Sequence, residues 1–222
     1  MDNINKHIEH TLLKQDAKYE DLIKLFDEAR VHNFYGVCIN PQYVRLAKEV
    51  LEDTDVKVVT VIGFPLGANK TAVKEYETIQ AVIDGADEID MVLNVSALKN
   101  KDYDFVLNDI ESVKRSCVDK PLKVILETDL LEKDEIVKAC EICCRAKADF
   151  VKTSTGFVKN GIGATAENVK LMYDTVSPYG LKVKASGGIR DKKTALEMLN
   201  AGAERLGTSS GVKIISDQFS CQ

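Results

Sequence analysis

No apolar stretch in this chain of 222 residues approaches the ~18 residues that a membrane-spanning helix needs, and no charged-then-apolar leader opens it. No membrane partner is expected, and the expected location is cytoplasmic. A basic block is also missing: 30 Lys and Arg are interspersed with 35 Asp and Glu, for a formal net charge of -5. That balance argues against nucleic acid as a partner and leaves a small molecule. The six cysteines, Cys38, Cys117, Cys140, Cys143, Cys144 and Cys221, lack the leader that would send them to an oxidising compartment, so structural disulfides are not expected. Cys140 and Cys143 have a C-x-x-C spacing, yet they fall in a helical pattern with no second Cys pair and no His nearby, the three histidines being His7, His10 and His32. They read as core or helix-face thiols, and no metal is expected.

What is present is alternation. Short apolar runs at Ile8 to Leu13, Tyr35 to Asn40, Val56 to Gly63, Glu88 to Asn94, Leu122 to Thr128, Phe150 to Ser154, Leu181 to Ser186 and Arg205 to Gly207 read as eight strands. Between them lie helix-period segments with one apolar face: Leu22, Phe26 and Ala29; Ala72, Tyr76, Ile79 and Ile83; Val106, Ile110 and Val113; Ile136, Ala139 and Cys143; Val169, Met172 and Val176. Eight βα units predict an α/β fold, a compact (β/α)8 TIM barrel spanning residues 1–222 as a single domain. The competing doubly wound sheet would show a glycine-rich turn after its first strand. Lys14-Gln15-Asp16-Ala17 contains no glycine.

Lys152 and Lys184 each sit at the polar end of one of these runs, where a barrel places its chemistry. On neighbouring strands roughly 4.8 Å apart their ammonium groups would interact. At about 5 Å and an effective dielectric of about 20 the repulsion is roughly 3 kcal/mol, enough to bring a lysine from ~10.4 toward 8. Lys152 is therefore a candidate Schiff-base nucleophile with Lys184 as its electrostatic activator. Asp90, a carboxylate inside an apolar strand, is the candidate proton shuttle; Asp87 and Glu88 are expected to be exposed. Gly187-Gly188 and Gly207-Thr208-Ser209-Ser210-Gly211 follow strands seven and eight, the usual phosphate position in such barrels, and a short helix beginning near Ser209 would add its positive end.

The runs Ile8-Glu9-His10-Thr11-Leu12-Leu13-Lys14, Val61-Ile62-Gly63-Phe64-Pro65-Leu66-Gly67-Ala68, Glu88-Ile89-Asp90-Met91-Val92, Phe150-Val151-Lys152-Thr153-Ser154-Thr155-Gly156-Phe157 and Val183-Lys184-Ala185-Ser186-Gly187-Gly188-Ile189-Arg190 are together similar to the deoxyribose-phosphate aldolases, and the resemblance covers essentially the whole chain. It implies a class I aldolase, without metal or other cofactor, that reversibly cleaves 2-deoxy-D-ribose 5-phosphate to acetaldehyde and D-glyceraldehyde 3-phosphate in deoxyribonucleotide catabolism. By the same resemblance Lys152 forms the imine, Lys184 perturbs its pKa and relays protons, and Asp90 transfers protons. Thr153, Thr155, Gly187, Gly188, Gly207, Ser209 and Ser210 are expected to hold the substrate and its phosphate, with Glu9 and Cys38 in support. The partner implied is a phosphorylated sugar, and assembly as a homodimer or higher homo-oligomer is left open. The chain departs from the family pattern at Glu9 and Gln15, where Asp and Pro are usual. It departs again in the loop Val158-Lys159-Asn160-Gly161-Ile162-Gly163, about two residues longer than common versions, and at its end, Cys221-Gln222, which lacks the tyrosine of some members. Two other readings are another phosphate-binding barrel enzyme and a non-catalytic sugar-phosphate sensor.

Overall fold

A strand buried on both faces must be apolar nearly throughout, because neither side meets water. The eight apolar runs form such strands. The computed structural model describes residues 3–216, so Cys221 and the chain end lie outside the described residues. The strands are β1 (Ile8–Leu12), β2 (Gly36–Ile39), β3 (Lys57–Ile62), β4 (Glu88–Val92), β5 (Leu122–Ile125), β6 (Phe150–Lys152), β7 (Lys182–Ser186) and β8 (Ala203–Thr208). Each pairs in parallel with the next, and β8 pairs with β1 to close the barrel. The predicted (β/α)8 architecture is the observed one.

Parallel strands need a crossover, and helices supply it here. α1 (Tyr19–Val31), α2 (Val44–Val50) and α3 (Thr71–Ile83) follow the first three strands. α4 (Val95–Lys99) and α5 (Tyr103–Ser116) follow β4. α6 (Lys133–Arg145), α7 (Ala166–Val176), α8 (Lys192–Asn200) and α9 (Gly211–Ser216) complete the described circuit. Polar side chains satisfy the free N–H groups at several helix starts: Asn94 accepts from Ala97, Thr165 from Asn168, and Asp191 from Thr194. Among the described residues no helix is long and apolar enough to cross a membrane.

Outward residues of the strands, such as Val37, Val58, Ile89, Val124, Val151 and Ala185, pack against the helices as one large core. A separate small cluster of Leu13, Cys38, Val59 and Val61 lies inside the barrel, leaving the rest of the interior to polar groups. Four of the five apolar faces named above are buried as their spacing predicts. The fifth is reversed. On α3, Tyr76, Ile79 and Ile83 are exposed, while Lys74, Thr78 and Ala81 turn inward. The cause is an ion pair: Lys74 Nζ lies 2.6 Å from Asp109 of α5 and donates to the carbonyl of Val92 at 3.0 Å, so its charge is fully partnered within the protein.

Candidate active site

Side chains alternate along a strand, so residues two apart share the barrel interior. Glu9 on β1, Cys38 on β2, Glu88 and Asp90 on β4, Lys123 on β5, Lys152 on β6 and Lys184 on β7 all point there, each almost wholly buried. Register places Lys152 opposite Lys184 and Asp90 opposite Lys123. A bulge between Val183 and Lys184 adjusts the fit of β7 against β8.

Three carboxylates and three ammonium groups interlock. Asp90 Oδ2 accepts from Lys152 at 2.8 Å and from Lys184 at 2.7 Å, while its Oδ1 accepts from Lys123 at 3.0 Å. Lys184 also donates to Glu9 Oε2, and Lys123 reaches Glu88 Oε2 at 2.5 Å and Glu9 Oε1 at 3.6 Å. Below them Tyr35 donates to Glu88, and the Arg205 guanidinium stacks 3.6 Å from the Tyr35 ring centre. Isolated charges at this depth would be prohibitive, and only their mutual neutralisation makes the arrangement tenable.

The protonation states follow. Burial alone would raise the Asp90 pKa, but the ammonium groups of Lys123, Lys152 and Lys184 outweigh it and hold the carboxyl well below the usual range. Burial would likewise lower Lys123 and Lys184. Asp90 and Glu9 overcome it for both, with Glu88 assisting at Lys123, and both lysines are raised and remain cationic. Glu88 is lowered, since Lys123 and the Tyr35 hydroxyl outweigh its desolvation. The buried Cys38 thiol is pushed up by desolvation, against the pull of Lys184 and Lys152. Glu9, Cys38 and Asp90 each bring a ligand-type atom within 4.8 Å of the others, but these carboxylates are already bonded to Lys184 and Lys123.

The network opens at one end. A cleft of about 320 Å³ at the C-terminal ends of the strands has Lys152 at its floor and Gly187, Gly188, Gly207 and Ser209 along one wall. Lys152 reaches this cleft, whereas Lys123 and Lys184 are sealed beneath it. A wider depression of about 600 Å³ follows the outside of α1 from Tyr19 to His32, away from the lysines. Gly188 has φ +76°, and a Cβ there would meet the Ile162 carbonyl oxygen at 2.5 Å, so the wall loop and the long loop after β6 touch backbone to backbone.

The remaining sequence-derived candidates fall in different places. Ser209 is exposed in the cleft, and Ser210 is half-buried with its N–H on Thr208 Oγ1 at 2.9 Å. The short helix starts at Gly211 rather than near Ser209. Thr153 does not line the cleft: its hydroxyl donates to the Ser186 carbonyl and accepts from the Ser186 N–H, both at 2.9 Å. Thr155 does line it, but its hydroxyl donates to Glu127 and accepts from Phe157 N at 3.1 Å. Glu9 reaches both Lys184 and Lys123 despite its greater length. The expectation that Glu88 is exposed is overturned, because its spacing of two from Asp90 turns it inward onto Lys123 and Tyr35. Asp87 is half-buried, bonded to Val58 N at 2.8 Å and to Lys48 at 3.1 Å. Lys123 was not singled out by sequence, although a lysine in the run Leu122-Lys123-Val124-Ile125 carries the same signal as Asp90 in its own strand.

A closed parallel barrel with a carboxylate-tethered lysine at the floor of its C-terminal cleft is the frame of a (β/α)8-barrel aldolase, a lyase. Residues 3–218 match the DeoC/LacD family aldolase, and the chain belongs to that family. It is 56% identical over 210 residues to a deoxyribose-phosphate aldolase of Mannheimia succiniciproducens, covering 95% of this chain and 92% of that one. Among solved structures it superposes on QR15, an aldolase, with a TM-score of 0.92 at 45% identity, covering 96% and 95% of the two chains. The deoxyribose phosphate aldolase of Aeropyrum pernix, described as a unique tetramer, matches with a TM-score of 0.87 at 33% identity over 96% and 89%.

Proposed function

We propose that this aldolase cleaves 2-deoxy-D-ribose 5-phosphate reversibly to acetaldehyde and D-glyceraldehyde 3-phosphate through an imine on Lys152, in cytoplasmic deoxyribonucleotide catabolism. The observation that carries the reading is the placement of Lys152. Of the three interior lysines it faces the cleft, with an ionised carboxylate 2.8 Å from its nitrogen.

As a free amine Lys152 adds to the C1 aldehyde, and loss of water leaves an iminium. The C3 hydroxyl gives up its proton, the C2–C3 bond breaks, and its electron pair moves into the iminium. Glyceraldehyde 3-phosphate departs and an enamine stays on Lys152. Protonation at C2 and hydrolysis then release acetaldehyde and restore the amine. Asp90, kept anionic, is placed to take protons from nitrogen and return them. Lys184 stays cationic beside the same oxygen and helps to hold the Asp90 carboxylate against Lys152. The glycine and serine wall supplies backbone donors for the phosphate.

Incubation with 2-deoxyribose 5-phosphate should yield both aldehydes. Borohydride with acetaldehyde should leave a reduced adduct on the peptide containing Lys152. Labelling confined to other lysines would overturn the assignment.

A further inference from the structure

The strand end after Lys152 carries three consecutive hydroxyls, Thr153, Ser154 and Thr155. Those of Thr153 and Thr155 are fully engaged, on Ser186 in the first case and on Glu127 and Phe157 in the second. Ser154 differs. It is completely buried and lines the cleft, and its Oγ has no hydrogen-bond partner in the protein. A buried hydroxyl without a partner forfeits the hydrogen bonds it would make in water, and one that lines a cleft can regain them from a ligand bound there.

Its position says which part of a ligand it meets. Ser154 follows Lys152 by two residues, just past the C-terminal end of β6, and both line the cleft. At that height it lies against the cleft wall: a Cβ on Gly187 would stand 3.4 Å from the Ser154 Cβ. Ser154 therefore stands between the imine nitrogen and the glycine loop. On an open-chain 2-deoxyribose 5-phosphate held by C1 at Lys152 and by its phosphate at the loop, the C3 and C4 hydroxyls span that interval. The C3 hydroxyl loses its proton during cleavage, and the C4 hydroxyl, nearer the phosphate, is the spectator.

We infer that the Ser154 hydroxyl binds the C4 hydroxyl of the substrate and so selects acceptor aldehydes that carry a hydroxyl beside the carbonyl. This inference rests on the aldolase reading above. Serine can donate and accept at once, so it suits a hydroxyl partner in either orientation.

The test is the condensation of acetaldehyde with two phosphorylated acceptors, D-glyceraldehyde 3-phosphate and 3-phosphooxypropanal, which lacks the C2 hydroxyl corresponding to C4 of the product. The parent should favour the hydroxylated acceptor in kcat/KM, and Ser154→Ala should reduce that preference about tenfold. Ser154→Cys, close in size but a weak donor, should fall between the two, which separates hydrogen bonding from altered packing. Because the readout is a ratio within each variant, a general loss of folded enzyme leaves it unmoved. An unchanged ratio in Ser154→Ala, with the parent active, would overturn this inference alone. A parent that forms no product from glyceraldehyde 3-phosphate would overturn the aldolase reading, and this inference with it.

Discussion

A Cβ on Gly207 would lie 3.1 Å from the Cε of Lys184, so the lysine stem runs through the space that the glycine leaves free. The ammonium group beyond it has two carboxylates to satisfy, and a shift of a few tenths of an ångström is felt by both Asp90 and Glu9.

Gly207→Ala is accordingly expected to lower kcat/KM by about tenfold or more, because small displacements of positioned groups are costly in rate. The same crowding should reduce stability by about 1–3 kcal/mol. Steady-state kinetics and urea unfolding on one preparation check both, and parent-like kinetics would show that the Lys184 stem accommodates a methyl group.

Lys184→Leu removes a cation that stays charged throughout the assay range, since its pKa is raised. Without it Asp90 loses one of its three donors and Lys152 its cationic neighbour, so kcat/KM should fall by about tenfold or more. A parental kcat/KM in the variant would rule out the activator role.

Ser209→Glu places a negative charge on the exposed side of the glycine wall. The KM for 2-deoxyribose 5-phosphate should rise at least about tenfold more than the KM for unphosphorylated 2-deoxyribose, since only the former meets charge repulsion. Equal changes for the two sugars would place the phosphate elsewhere.

Asp109→Ala leaves the Lys74 ammonium buried without its counter-charge, and the fold should lose about 3–5 kcal/mol. The pair Lys74→Met with Asp109→Leu should regain most of that loss, because it removes both charges together. Urea midpoints decide it. A double variant weaker than Asp109→Ala would mean that the ion pair itself stabilises the fold on balance.

The strands were legible because burial on both faces demands apolar runs, and none of the eight is misplaced by more than a few residues. Asp90, Lys152 and Lys184 were legible for the complementary reason: a charge inside such a run has to be accommodated by something. Glu88 and Lys123 carry that same mark, but Glu88 stands at the first position of its run, where exposure is the default expectation, and Lys123 is a single polar residue in a run of four. The reversed face of α3 could not be read locally, since Lys74 turns inward for Asp109, a partner 35 residues away. The hydroxyls of Thr153 and Thr155 were equally opaque, because their partners are Ser186, the last residue of β7, and Glu127, just past β5.

Glu9 and Lys184 are 175 residues apart and meet only when β1 has taken its place in the closed ring. Until then an incomplete barrel holds an interior with one cation too many and nothing to offset it. Partial structures that bury these lysines are thus penalised by their own charge, and the first strand made is needed by nearly the last. Contacts of such long sequence separation slow folding. They also leave little room for a stable barrel that lacks its N-terminal strand, so loss of those few residues should cost the whole fold rather than one edge of it.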